Sequence, residues 1–208
     1  MSDSTASARV VYYIDGFNLY HGLMEHTKTR GYRWLNLYSL ATGHLLPAHT
    51  LERVVYFTSV PPWNAAKAAR HEKYISALES TGVEIVRGRF QRDEIVCRGH
   101  CGQLFSRYVE KLTDVNIATR LLHDGVGSKY DWAYLVSGDA DLAPAIRTLR
   151  AMAPQCKVRV LFPPRRHSTE LTQVSHDNRP LGHRALKPHL FPDVVHVDGR
   201  KIVKPETW

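Results

Sequence analysis

The sequence predicts an α/β protein built on a parallel sheet of about five strands, with helices on both faces. Three observations predict it. Several short runs are apolar at every position, as strands buried on both sides are. Segments with apolar residues three and four apart lie between those runs. Turn residues close most runs at their C-terminal ends. Strands that alternate with helices in this way form parallel sheets.

The first strand is Arg9-Val10-Val11-Tyr12-Tyr13-Ile14, which stops at the turn signal Asp15-Gly16 and leads into a helix from Phe17 to Glu25. Arg53 to Ser59 is the second strand, closed by Pro61-Pro62. Asn64 to Ser80 is a helix with Asn64 as its N-cap and Thr81-Gly82 as its end. Val83 to Arg87 is the third strand, and 89–105 is irregular. In the next segment Val109, Leu112, Val115, Thr119 and Leu122 recur at helical spacing, which predicts a helix over Tyr108 to His123. Trp132 to Val136 is the fourth strand, Asp141 to Ala151 a helix, and Lys157 to Phe162 the fifth strand, ended by Pro163-Pro164. Residues 1–8 read as a disordered leader, 9–175 as one domain, and 176–208, with prolines at 180, 188, 192 and 205, as an extended basic tail packed on that domain.

The chain of 208 residues is 43% hydrophobic, enough for a sizeable core and too much for a disordered chain. No apolar run approaches the ~18–20 residues of a membrane span, and Met1 to Arg9 lacks the apolar segment of a signal peptide. Three cysteines suit a reducing compartment, so the expectation is a cytoplasmic protein with no membrane partner. The formal charge of +8 favours a polyanion, with nucleic acid first among candidates. Residues 157–204 carry ten Lys or Arg against four acids, so the excess is concentrated there; a solvated basic surface would have the same composition.

Ligands of open parallel sheets bind at the carboxyl ends of strands. Three acidic features fall at such places: Asp15 after the first strand, Asp139 and Asp141 after the fourth, and Glu110 with Asp114 four residues apart, on one face of the expected helix. Each has a plainer explanation: Asp141 as a helix cap, Asp139 and Asp15 as turn residues, and Glu110 as a solvated partner of Lys111. Together they make an acidic pocket whose carboxylates would repel one another unless a hard cation such as Mg²⁺ or Mn²⁺ joined them. An acidic pocket in a basic surround suits phosphodiester hydrolysis, where metal neutralises the phosphate and activates water.

At this point the residues resemble a family. Ile14-Asp15-Gly16-Phe17-Asn18-Leu19, Glu110-Lys111-Leu112-Thr113-Asp114-Val115-Asn116-Ile117-Ala118 and Leu135-Val136-Ser137-Gly138-Asp139-Ala140-Asp141-Leu142 resemble the three signature blocks of NYN domains, relatives of PIN-domain nucleases, in their LabA-like branch. The resemblance spans residues 9 to about 175. It implies a Rossmann-like PIN fold and a divalent-metal-dependent nuclease, most often an endoribonuclease, with RNA as partner and DNA not excluded. It implies that Asp15, Asp114, Asp139 and Asp141 are catalytic metal ligands. Asn18 matches the family's Asn and could hold a water or phosphate oxygen. Ser137 matches a small hydroxyl that could orient Asp139 or a phosphate, and Glu110 matches an acidic position outside the direct ligands. Ala140 departs from the usual Ser. Relatives of this fold often pair, which leaves a homodimer open.

Other chemistry is sparser. Arg165 and Arg166 follow the fifth strand on the acidic edge and suit phosphate oxygens, or else begin a basic helix on open surface. Cys97, His100 and Cys101 offer at most three of the four ligands a structural Zn²⁺ needs; two free thiols in a loop is the alternative. Tyr20, Trp34 and Trp63 could stack bases or simply pack. Two other functions compete. A haloacid-dehalogenase-like phosphatase would need an acid two residues after Asp15, where Phe17 stands. A non-catalytic RNA-binding or scaffold protein would not need all four acids.

Overall fold

A computed structural model describes residues 7–25, 28–29, 31–97, 99 and 101–208 of the chain. Ten strands occur among the described residues: β1 Ala8–Asp15, β2 His49–Thr58, β3 Glu84–Arg87, β4 Arg89–Val96, β5 Leu104–Lys111, β6 Trp132–Val136, β7 Lys157–Phe162, β8 Asp177–Pro180, β9 Val194–Val197 and β10 Arg200–Val203. The α-helices are α1 Gly16–Glu25, α2 Leu37–Gly43, α3 Ala65–Glu79, α4 Thr113–Val126, α5 Ala143–Met152, α6 Thr169–Val174 and α7 His183–Leu186.

Six strands form the central sheet in the order β3-β2-β1-β6-β7-β8, and every neighbouring pair is parallel. β1 is central because it can be: Val10 to Ile14 are fully buried, and the strand alternates between two cores. Val10, Tyr12 and Ile14 face Leu19 and Leu23 of α1, Leu37 and Leu40 of α2, and Leu78 of α3. Val11 and Tyr13 face Ile117 and Leu121 of α4 and Ile146 and Leu149 of α5. Burying each large apolar side chain contributes roughly 1.5–3 kcal/mol. The strand is thereby fixed from both faces. The chain runs from β1 to β2 and β3 on one side and continues as β6, β7 and β8 on the other, so the strand order reverses between β1 and β6. Open sheets place their ligand crevice at such a point.

Three expectations need correction. First, the tail is shorter than expected: Asp177–Pro180, assigned to it, is the polar sixth strand of the sheet of about five. The remainder, 181–208, lies over the first core, where Trp208 meets Trp34 at 6.2 Å and Tyr74 at 5.6 Å. Strand β1 likewise begins at Ala8, one residue inside the expected leader; residues 1–6 lie outside the described set. Second, the irregular segment 89–105 is the larger part of a two-stranded antiparallel arm, β4 with β5, outside the main sheet. Third, Tyr108 to Lys111 belong to that arm, and the helix begins only at Thr113. Glu110 and Asp114 therefore do not share a helical face. Between them Leu112 takes a left-handed backbone, φ 78°, which turns the chain out of the arm. The apolar spacing that suggests an earlier start is carried by Val109 and Leu112, which precede the helix.

Among the described residues, no helix is long and apolar enough to cross a membrane.

Candidate active site

Asp15 is the last residue of β1 and only 2% exposed. One carboxylate oxygen accepts the Asn18 backbone N–H at 2.9 Å, so Asp15 ties down the first turn of α1. The other accepts the Ser137 hydroxyl at 2.9 Å. Ser137, fully buried after β6, accepts in turn the Asp139 backbone N–H at 3.0 Å. Asp139 then accepts the Asp141 backbone N–H at 3.0 Å and caps a single 3₁₀ turn, Ala140–Leu142. The Asn18 carboxamide oxygen accepts the Gly138 N–H at 2.9 Å, which leaves its NH₂ for an outside acceptor. One hydrogen-bonded chain thus joins the ends of β1 and β6 across the reversal point.

Two glycines make this closeness feasible. A Cβ on Gly138 would lie 1.9 Å from the Arg166 carbonyl oxygen, and one on Gly16 would lie 2.6 Å from the Phe57 carbonyl oxygen. Neither backbone neighbour can give way cheaply.

Asp114 enters from the first turn of α4 and is half-buried. Burial pushes the Asp15 carboxyl up to about 7, and Asp114 and Asp139 add to the rise against the Asn18 and Ser137 hydrogen bonds. Burial pushes Asp114 up to about 6, with further contributions from Asp139, Glu110 and Asp141. Asp141 itself is exposed. Among the described residues, none of these four acids has an ion-pair partner within 4 Å. Glu110 lies further out on the arm, accepting the Ser59 hydroxyl at 2.8 Å and the Thr113 hydroxyl.

Asp114 and Asp139 act on Asp15, and Asp139 and Asp141 act on Asp114. Yet among the described residues no three His, Cys, Asp or Glu side chains are gathered tightly enough to hold a metal ion unaided. Carboxylate oxygens with an incomplete shell fit a hard cation that keeps several waters, as Mg²⁺ does. They do not fit a closed tetrahedral zinc centre. The charge deficit points the same way, since an added cation would let Asp15 ionise fully at neutral pH.

The remaining expected site residues divide. Ser137 is buried, and its hydroxyl is committed between the Asp15 carboxylate and the Asp139 backbone N–H. Arg166 pairs with Glu25 of α1, and its guanidinium is thereby partly committed. Arg165 is exposed, beside a small pocket walled by Pro163, Pro164, His167 and His183. Its backbone is left-handed, φ 59°. Trp34 is core, 1% exposed, whereas Tyr20 and Trp63 are each 44% exposed. Trp63 stacks on Tyr108 at 4.2 Å and meets Phe90 edge-on at 4.7 Å, which fastens the base of the arm to the loop after β2. Phe17, 49% exposed next to the Asp15 turn, is a site neighbour that the sequence reading does not single out; its position directly after Asp15-Gly16 is the available signal. Cys97 and Cys101 stand at the tip of the arm, while His100 lies outside the described residues.

A protein of Pseudomonas putida named 6-hydroxy-3-succinoylpyridine 3-monooxygenase is 28% identical over 236 aligned positions, covering 94% of this chain and 74% of that protein. The crystal structure of a protein of unknown function from Vibrio parahaemolyticus matches with a TM-score of 0.61 at 14% identity, over 87% of this chain and 97% of the other, which is a likeness of fold. The NYN domain matches residues 9–180, most of the chain and all three acidic blocks, and the protein belongs to the NYN domain family.

Proposed function

We propose that this protein is a divalent-metal-dependent nuclease, an endoribonuclease acting on single-stranded RNA. The observation that carries the reading is the set of four carboxylates, Asp15, Asp114, Asp139 and Asp141, held at the reversal point of a parallel sheet with no cationic side chain paired to them among the described residues. Family membership supports a nucleic-acid substrate, and so does the charge of +8. Mg²⁺ or Mn²⁺ held by these acids would supply Lewis-acid neutralisation of a phosphate and acidify a bound water.

The chain's own residues have distinct parts. Asp15 and Asp139 are the most firmly oriented acids: Asp15 accepts the Asn18 N–H and the Ser137 hydroxyl, and Asp139 accepts the Asp141 N–H while its own backbone N–H donates to Ser137. Asp114 and Asp141 complete the negative field, directly or through water. The Asn18 NH₂ can donate to a phosphate oxygen or a water beside Asp15. Arg165 adds a cation for the neighbouring phosphate.

The test is cleavage of mixed RNA and DNA with Mg²⁺ or Mn²⁺, run beside Asp139→Asn. Metal-dependent cleavage of RNA, lost in the variant, supports the reading. The name of the Pseudomonas relative raises a different chemistry, hydroxylation of a pyridine ring. Conversion of that pyridine by the purified protein, with nucleic acid left intact, would overturn the nuclease reading.

A further inference from the structure

The β4–β5 arm is built unlike the rest of the molecule. It has eight residues in each strand and pairs only with itself. Two-stranded ribbons are marginal alone, and both outer edges of this one are open to another chain. Its base is fastened by Trp63, Tyr108 and Phe90. Its far end is apolar and exposed instead: Ile95 pairs across the ribbon with Phe105, and Val96 with Leu104. These four residues are 42–68% exposed. Directly beyond them the tip carries Cys97 and Cys101, both as free thiols, with the Cys97 backbone N–H bonded to the Gln103 carbonyl at 2.7 Å.

Two sulfurs four residues apart at the turn of a ribbon have the spacing of half a zinc site. Tetrahedral zinc takes four ligands. Among the described residues no third Cys, His, Asp or Glu completes the set. A second copy related by a two-fold axis supplies the same pair again. It would also cover the apolar tip.

We propose that the arm tips of two copies of this chain share one zinc ion, each copy contributing Cys97 and Cys101. On binding, four thiols release their protons and four sulfur–zinc bonds form, with no change of oxidation state. This site is separate from the carboxylate cluster and does not depend on the nuclease reading. It would hold two arms together tip to tip and so fix the segment that leads through Leu112 to Asp114.

The test uses the full chain, purified, stripped with a chelator and reloaded with Zn²⁺ or Co²⁺. Mass in solution is measured by light scattering. The expected result is a monomer without metal and a dimer with it. Cobalt should show thiolate charge-transfer absorption that saturates at one ion per two chains. Cys97→Ser and Cys101→Ser should each abolish that absorption and the dimer. Leu104→Ser keeps all four sulfurs and should weaken the dimer while retaining the absorption at higher protein concentration. Circular dichroism checks that the variants stay folded. Absorption saturating at one ion per chain in a monomer would overturn the proposal, because a single chain would then complete the site. Absence of thiolate absorption, or a dimer indifferent to chelator and to both serine variants, would overturn it as well.

Discussion

Asp15 and Asp124 are both buried carboxylates, 2% and 0% exposed, yet their surroundings are opposite. Asp124, in the last turn of α4, is ringed by donors. Arg53 reaches it at 2.8 Å, Arg120 at 2.9 Å, Lys129 at 3.3 Å, and the Tyr13 hydroxyl at 3.0 Å. Burial would raise its pKa, but hydrogen bonds from Arg120, His123 and Tyr13 overcome that and hold it well below the usual carboxylate range. Asp15 receives two neutral hydrogen bonds and otherwise faces other acids. The fold surrounds Asp124 with cations and, among the described residues, pairs none with Asp15. Buried polar groups are normally satisfied, so an electrostatic deficit at a sheet's ligand-binding edge marks a site better than acidity alone does.

The contrast breaks most sharply under substitution. Asp15→Asn or Asp139→Asn should lower metal-dependent cleavage by about 1,000-fold or more, the loss expected when several kcal/mol of charge stabilisation disappear. The fold should persist by circular dichroism. Asp124→Asn should do the reverse. Removing one partner of a buried ion-pair network costs about 3–5 kcal/mol, and each kcal/mol lowers Tm by about 2–4 °C in a domain of this size. Activity per folded molecule should stay near wild type. If Asp124→Asn abolished cleavage without destabilising the protein, the division of labour between the two acids would fail.

Acid and base should also separate them. Folded Asp15 keeps its proton up to about pH 7, whereas an unfolded aspartate releases it near pH 4. Between those values the folded state binds more protons than the unfolded one. Metal-free stability should therefore fall as pH rises from about 4 to about 7, and Asp114 should contribute in the same direction up to about 6. Asp124 acts oppositely: its contribution is present above its unfolded value and lost as pH falls toward its depressed folded one. Melting curves of the metal-free protein across this range check the signs. Asp114→Asn should flatten part of the fall toward neutrality, and Mn²⁺ should flatten it further.

The smallest expected effect concerns affinity. Arg165→Ala should weaken single-stranded RNA binding and reduce the salt slope by about 0.7 for each phosphate left without its cation. An unchanged slope would place Arg165 away from the substrate. Part of the C-terminal basic excess is internal, since Arg159 is 6% exposed and pairs with Asp177 at 2.6 Å. Counting charges along the sequence could not separate that structural arginine from a binding one.

Legibility in the sequence followed burial. Trp132–Val136 and Lys157–Phe162 are strands with the limits their composition predicts, because every residue of each after the first is buried. Asn64 caps α3 as expected, accepting the Lys67 N–H at 2.8 Å. The arm escaped because its faces are largely solvated, so Arg89–Val96 shows no apolar period to read. The edge strand Asp177–Pro180 escaped for a related reason: it is polar, short and ends in proline, as edge strands can be. In the site, the acids at strand ends could be placed from sequence because topology puts strand ends together. The Asp15–Ser137–Asp139 relay could not, since it depends on side-chain rotamers across two loops.

The central claim is that the deficit around Asp15 is filled by a divalent cation. It is tested most directly by titrating Mn²⁺ into metal-free protein at about pH 6 in two buffers of different ionisation enthalpy, beside Asp139→Asn. Binding to carboxylates that are partly protonated must release protons. The predicted result is binding to wild type with buffer-dependent heat, proton release that declines toward about pH 8, and loss of most of that binding in Asp139→Asn. Equal binding by the two proteins, or heat independent of buffer at both pH values, would contradict it.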